Sequence, residues 1–176
     1  MSSLPKKCVV DTNVPILANM ALSPSPIPAD LTGCVSACIE AIDHVIKTGG
    51  LVIDSGDEIF DEYRHKLSLK GQPGMGDRFV RWVHDNRWKF PAEDRVTITK
   101  NGESYLEFPS HEGLSSFDRS DRKFVAVANA HPKKPPILQA TDSKWWGWKV
   151  ALAEVGITVH FICPQYVKAK YKEKME

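Results

Sequence analysis

KCVVDTNVPILAN, residues 7–19, is the stretch from which the rest of the chain can be read. Its opening is a short apolar run of the kind that forms a buried strand, and Asp11 ends it. TNVPILANMAL then reads as a helical turn or short helix, broken by the Pro/Ser loop SPSPIP (23–28). Three further apolar runs recur downstream: LVID (51–54), ILQAT (137–141) and ITVHFIC (157–163). Helical periodicity fills the gaps between them. From Thr32, apolar residues fall at Cys34, Val35, Cys38, Ile39, Ile42, Val45 and Ile46, and Gly49-Gly50 supplies a stop. Ser55 to Asp57 offer N-caps for a helix running to about Leu69, with Ile59, Phe60, Tyr63 and Leu67 on its apolar face. Further helices are expected near 77–86, over 118–130 and over 145–155. Strands alternating with helices predict a parallel sheet with both faces covered. The expected fold is therefore α/β, a three-layer α/β/α arrangement around a central parallel sheet of about four strands.

Composition agrees with one such domain over residues 1–176. The chain is 42% hydrophobic with a formal charge of +1, too apolar for disorder and too balanced for a global pull toward polyanions. The start lacks the apolar core of a signal peptide, and no run approaches the roughly 20 apolar residues of a membrane span. Cys8, Cys34, Cys38 and Cys163 make no CxxC pair and no zinc-finger spacing, so they read as reduced, buried thiols of a cytoplasmic protein. RVTITK and ESYLEF flank Asn101-Gly102, a hairpin signal, so residues 88–110 read as an insertion. KGQPGMG (70–76) is a loop without the ending of a phosphate-binding loop, and the polar tail, 165–176, is expected to fray.

Acidic residues cluster at predictable places. Asp11, Asp54 and Asp142 each end or follow a strand, so a parallel sheet puts them at its carboxyl edge, where open α/β folds bind ligands. Glu58 and Glu62 share one helical face, and Asp118 and Asp121 open the helix before the third strand. Such a cluster repels itself unless cations neutralise it, and oxygen-only ligands favour Mg²⁺ or Mn²⁺ over zinc. Acidic sites of this kind serve phosphodiester hydrolysis. Taken singly, each acid also suits a turn, a helix cap or a surface ion pair.

Four segments, VVDTNVPILAN (9–19), LVIDSGDEIFDEYRHKL (51–67), FDRSDRKFVAVANA (117–130) and QATDSKWW (139–146), together resemble the PIN-domain nuclease family, in that family's order. PIN domains are α/β metal-dependent nucleases, and many are toxins that cleave RNA. The resemblance implies that Asp11, Glu62, Asp121 and Asp142 are the catalytic acids and hold one or two Mg²⁺ or Mn²⁺ ions. It implies that Thr12 and Asn13 order the loop behind the first acid and that Ser143 bonds within the site. The family often carries another acid two positions after the fourth; here that position is Lys144. Asp118, one turn before Asp121, is the expected substitute, and Glu58 the alternative to Glu62. The implied activity is an endoribonuclease, with RNA favoured over DNA and an antitoxin protein as a partner; a homodimer is expected separately, because symmetric dimers are the common assembly. Arg64, Arg122, Lys123 and Lys144 are candidates for phosphate contacts, and Trp146 for stacking on bases. Trp145, Trp148 and Leu152 share a stripe that reads as core, and His111 reads as surface. The competing reading is a catalytically weak binding module of the same fold.

Overall fold

The computed structural model describes residues 3–23, 25–70 and 74–175. Of the loops expected over 23–28 and 70–76, residues 24 and 71–73 lie outside the described residues. β1 (Val9–Val10) passes through Asp11 and Thr12 into α1 (Asn13–Asn19), which a 3-10 turn extends to Leu22. α2 (Thr32–Thr48) buries Cys34, Val35, Cys38, Ala41, Ile42 and Val45 along the predicted stripe. Gly49 caps it in the left-handed region, φ 67°, where its N–H bonds the Val45 carbonyl. β2 (Ile53–Asp54) and α3 (Glu58–Lys66) follow. The Asp54 carboxylate accepts from the N–H groups of Glu58 and Ile59, at 2.8 and 2.9 Å, and so takes the capping role expected of Ser55 to Asp57.

α4 (Met75–Asn86) crosses α1 closely. A side chain at Gly76 would collide with the Pro15 carbonyl, and Asn19 exchanges hydrogen bonds with the backbone and carboxylate of Asp77. β3 (Arg95–Val96) then runs parallel to β2, pairing Ile53 with Arg95 and Asp54 with Val96. This corrects the expected insertion: RV, read as a hairpin arm, belongs to a parallel ladder. Only β4 (Lys100–Asn101) and β5 (Ser104–Tyr105) form the antiparallel hairpin, with Gly102 at φ 64° opening its turn. Alternation alone could not separate the two pairings, because a short strand presents the same pattern to a parallel or an antiparallel neighbour.

α5 (Arg122–Ala130), entered through a 3-10 turn at Arg119–Asp121, leads to β6 (Ile137–Gln139). α6 (Lys144–Glu154) and β7 (Val159–Phe161) complete the sheet β1–β6–β7, all parallel. A parallel bridge between Cys8 and Leu51 joins β1 to the β2 segment. The fold is thus mixed α/β, and among the described residues its main parallel sheet has three strands rather than about four. No described helix is long and apolar enough to cross a membrane.

Two further expectations are corrected. The tail is not frayed: α7 (Pro164–Met175) is helical, buries Val167 and lays Tyr171 against Gly147 of α6. Pro164 opens this helix as well as ending the strand segment, because the missing N–H of proline costs nothing at a first helical position. Nor are all four cysteines free: Cys34 and Cys163 form a disulfide between positions 129 apart, with Cα atoms 5.5 Å apart, while Cys8 and Cys38 are buried thiols. Spacing along the chain carries no information about such a pairing.

At the amino ends of the strands lies a buried polar network. Asp94 accepts from Lys7 Nζ at 3.0 Å and pairs with His131 Nε2 at 2.8 Å. The His131 ring also accepts the Lys133 N–H at Nδ1, so its proton sits on Nε2, facing Asp94. His131 and Asp94 are each 1% exposed, and together they lock the approaches to β1, β3 and β6.

Candidate metal centre

Parallel pairing brings the carboxyl ends of β1 and β6 side by side, and Asp11 donates its N–H to the Leu138 carbonyl. Asp11 is buried, and its carboxylate accepts the Asn13 N–H at 3.0 Å. Asn13 in turn accepts the Ala140 N–H at 3.2 Å, stitching the loop after β1 to the loop after β6. Glu62, one turn before the end of α3, accepts the Thr12 hydroxyl and pairs with Lys123 Nζ at 2.8 Å. Asp118, Asp121 and Asp142 each offer an oxygen within 4.8 Å of the other two. Asp142 holds the Lys144 N–H at 3.0 Å as α6 begins, and the Trp145 indole points its N–H at Asp121, 3.4 Å away.

Charge binds these groups into one cluster. Burial, then the charge of Asp121, drives the Asp11 carboxyl well above the ordinary aspartate range; Glu62 and Asp142 push the same way, and the Asn13 N–H opposes them. Burial, then Asp142, lifts Asp121 to about 6. Two lysines offset part of the negative charge: Lys123 against Glu62, and Lys144 against Asp118 at 3.0 Å. Five acids meet three ammonium groups, those of Lys123, Lys144 and, on Ser143, Lys174, so acidic groups outnumber basic ones around Asp11, Asp121 and Asp142. All donors are oxygens, so the set could hold a hard cation such as Mg²⁺ or Mn²⁺.

The predicted residues divide by position. Asp11, Glu62, Asp121 and Asp142 gather at this edge with Thr12, Asn13, Asp118 and Ser143. Glu58 turns instead to the hairpin, where it pairs with Lys100 at 3.2 Å. Lys123 and Lys144, read as substrate contacts, are engaged within the cluster. Arg64 pairs with Asp61 on its own helix. Arg122 bonds the Ser115 and Phe117 carbonyls and covers the Phe108 ring, fixing the loop before Asp118. Trp146 packs on Phe161 under the Lys149 ammonium, on a different groove from the acids. Trp145 and Leu152 are fully buried, as their stripe predicts. His111 caps the 3-10 turn at Glu112–Leu114 and pairs with Glu154.

Two participants escaped sequence reasoning. The Trp145 N–H reaches an acid although its ring is core, and Lys174, near the end of α7, donates to the Ser143 hydroxyl at 2.9 Å. The second was invisible because nothing local marks α7 as docked. Beside Asp118 runs a groove of about 770 Å³, walled by Glu103 and Ser104 of the hairpin and by Arg119 and Arg122. Compared with known family models, curated proteins and solved structures, the chain matches none.

Proposed function

We propose that this chain is a divalent-metal-dependent nuclease, an endoribonuclease before a deoxyribonuclease, built on a three-layer PIN-like fold. The observation that carries the reading is the convergence of Asp11, Glu62, Asp118, Asp121 and Asp142, from four separate segments, with a surplus of acidic groups over basic ones. Structural ion pairing alone does not call for such a surplus, since it destabilises the fold until a cation arrives. Asp118, Asp121 and Asp142 would supply the oxygens, with Asp11 and Glu62 coupled to them through their charges. Mg²⁺ or Mn²⁺ held there would supply Lewis acidity toward a phosphodiester and an acidified water to attack it. The chain's own part is positional. Asn13 fixes the Asp11 carboxylate, Thr12 and Lys123 fix Glu62, and the groove would lead a strand to the cluster at Asp118.

The test is cleavage of RNA and DNA panels with Mg²⁺ or Mn²⁺. We expect activity that EDTA abolishes and that Asp11→Asn lowers by at least about 10²-fold. Activity untouched by Asp11→Asn would overturn the reading. A second reading, a binding module without turnover, draws on the Lys144–Asp118 and Lys123–Glu62 pairs, which already neutralise two of the acids. Retention of RNA with no cleavage under either metal would favour it. The same resemblance extends the proposal to an antitoxin-type partner, which inhibition by a co-expressed small protein would reveal, and the frequency of symmetric dimers extends it to a homodimer, which sedimentation would reveal.

A further inference from the structure

Away from the acids, three sulfurs converge. Cys34 and Cys38 stand four residues apart on one face of α2, and Cys163 lies immediately before α7. One sulfur from each lies within 4.8 Å of the other two, and all three residues are buried. The disulfide uses two of them and leaves the Cys38 thiol beside the bond. We propose that Cys34, Cys38 and Cys163 form an all-sulfur metal site that, in the reduced protein, binds one thiophilic d¹⁰ cation of the Zn²⁺, Cd²⁺ or Cu⁺ class. The disulfide is the oxidised, metal-free state of the same site.

Ligand chemistry sorts the two clusters. Thiolates select soft ions, whereas the carboxylate cluster, with no sulfur or imidazole, selects hard ones. Geometry permits the exchange. A tetrahedral zinc with Zn–S of about 2.3 Å sets its sulfurs about 3.8 Å apart. Once the S–S bond opens, rotation about the Cα–Cβ bonds of Cys34 and Cys163, whose Cα atoms are 5.5 Å apart, covers that separation. A groove of about 220 Å³ lined by Asp30, Cys34, Cys163 and Tyr166 gives an ion a way in and water a fourth position. The chemistry balances. A phosphine reductant passes two electrons to the disulfide, takes up oxygen from water as phosphine oxide, and leaves two cysteine thiols. A divalent ion then displaces the protons of the three thiols as three metal–sulfur bonds form.

The test uses the full chain, reduced with a phosphine and titrated with Cd²⁺. We expect a sulfur-to-cadmium charge-transfer band saturating at one ion per chain. Zn²⁺ should protect Cys34, Cys38 and Cys163 from alkylation, read residue by residue by mass spectrometry. Cys38→Ser, which keeps both disulfide partners, should weaken Cd²⁺ binding by at least about tenfold, and Cys8→Ser should not. The oxidised protein should give no band. Absence of the band in reduced protein, or equal binding by Cys38→Ser, overturns the proposal. The alkylation pattern in the unsubstituted chain decides it even if a variant fails to fold. None of these readouts involves the acids, so failure here leaves the nuclease reading standing, and the reverse.

Discussion

With a pKa near 6, Asp121 is still gaining charge where most aspartates are already ionised. Its folded value lies above its unfolded one, so between about pH 4 and 6 the native state holds more protons than the unfolded chain. The protonated carboxyl therefore favours folding at low pH, and that advantage disappears as pH rises through 6. In EDTA, Asp121→Asn should gain stability over the unsubstituted protein as pH rises from 4.5 to 7.5, by on the order of 2 kcal/mol in urea unfolding. Saturating Mn²⁺ should erase the difference, because a bound cation removes the repulsion. A pH-independent difference would mean that neither burial nor a neighbouring acid lifts the Asp121 carboxyl. The identity of this aspartate was legible from its place ahead of a helix. Its indole partner was not, because Trp145 satisfies the core stripe and the acid together.

Elements divide the labour between the two edges of the sheet. The amino edge, where Asp94 joins Lys7 and His131, has no contact with the acids and serves to hold strands in register. His131→Ala leaves the buried Asp94 carboxylate with Lys7 as its remaining side-chain partner and should cost about 2 kcal/mol in urea unfolding, with any cleavage rate per folded molecule, as proposed above, unchanged. A loss of turnover without loss of stability would contradict that division. α7 makes a parallel case. Val167 is fully buried and Tyr171 lies on Gly147, so Val167→Ala should cost about 2 kcal/mol. A frayed tail would register no change at all. The helix was hidden in the sequence because Lys and Glu recur through it, while Tyr166, Val167 and Tyr171 do the docking.

At the scale of the whole molecule, the disulfide spans 129 positions and ties the face of α2 to the chain entering α7. Closing so long a loop restricts the unfolded chain, so reduction should lower the unfolding free energy by about 2–4 kcal/mol in calorimetry or urea titration. Cys34→Ser should show the same loss, and a reductant should add nothing to it. An unchanged midpoint on reduction would mean that packing alone holds α7. The effect is global because the bond joins segments that share no other covalent constraint.

The sequence by itself determined the succession of strands and helices as far as β7, the buried stripe of α2 and the delivery of Asp11 and Asp142 to one edge. Each depends on hydrophobic period and strand direction, which are local and repeat every few residues. Only the tertiary structure decided that Arg95–Val96 pairs with β2, that Lys123 and Lys144 serve the acids, that Cys34 meets Cys163, and that the tail packs on α6. Those are choices among partners tens of residues away. Patterning shows that a group needs a partner, and the three-dimensional packing of the whole chain selects which one.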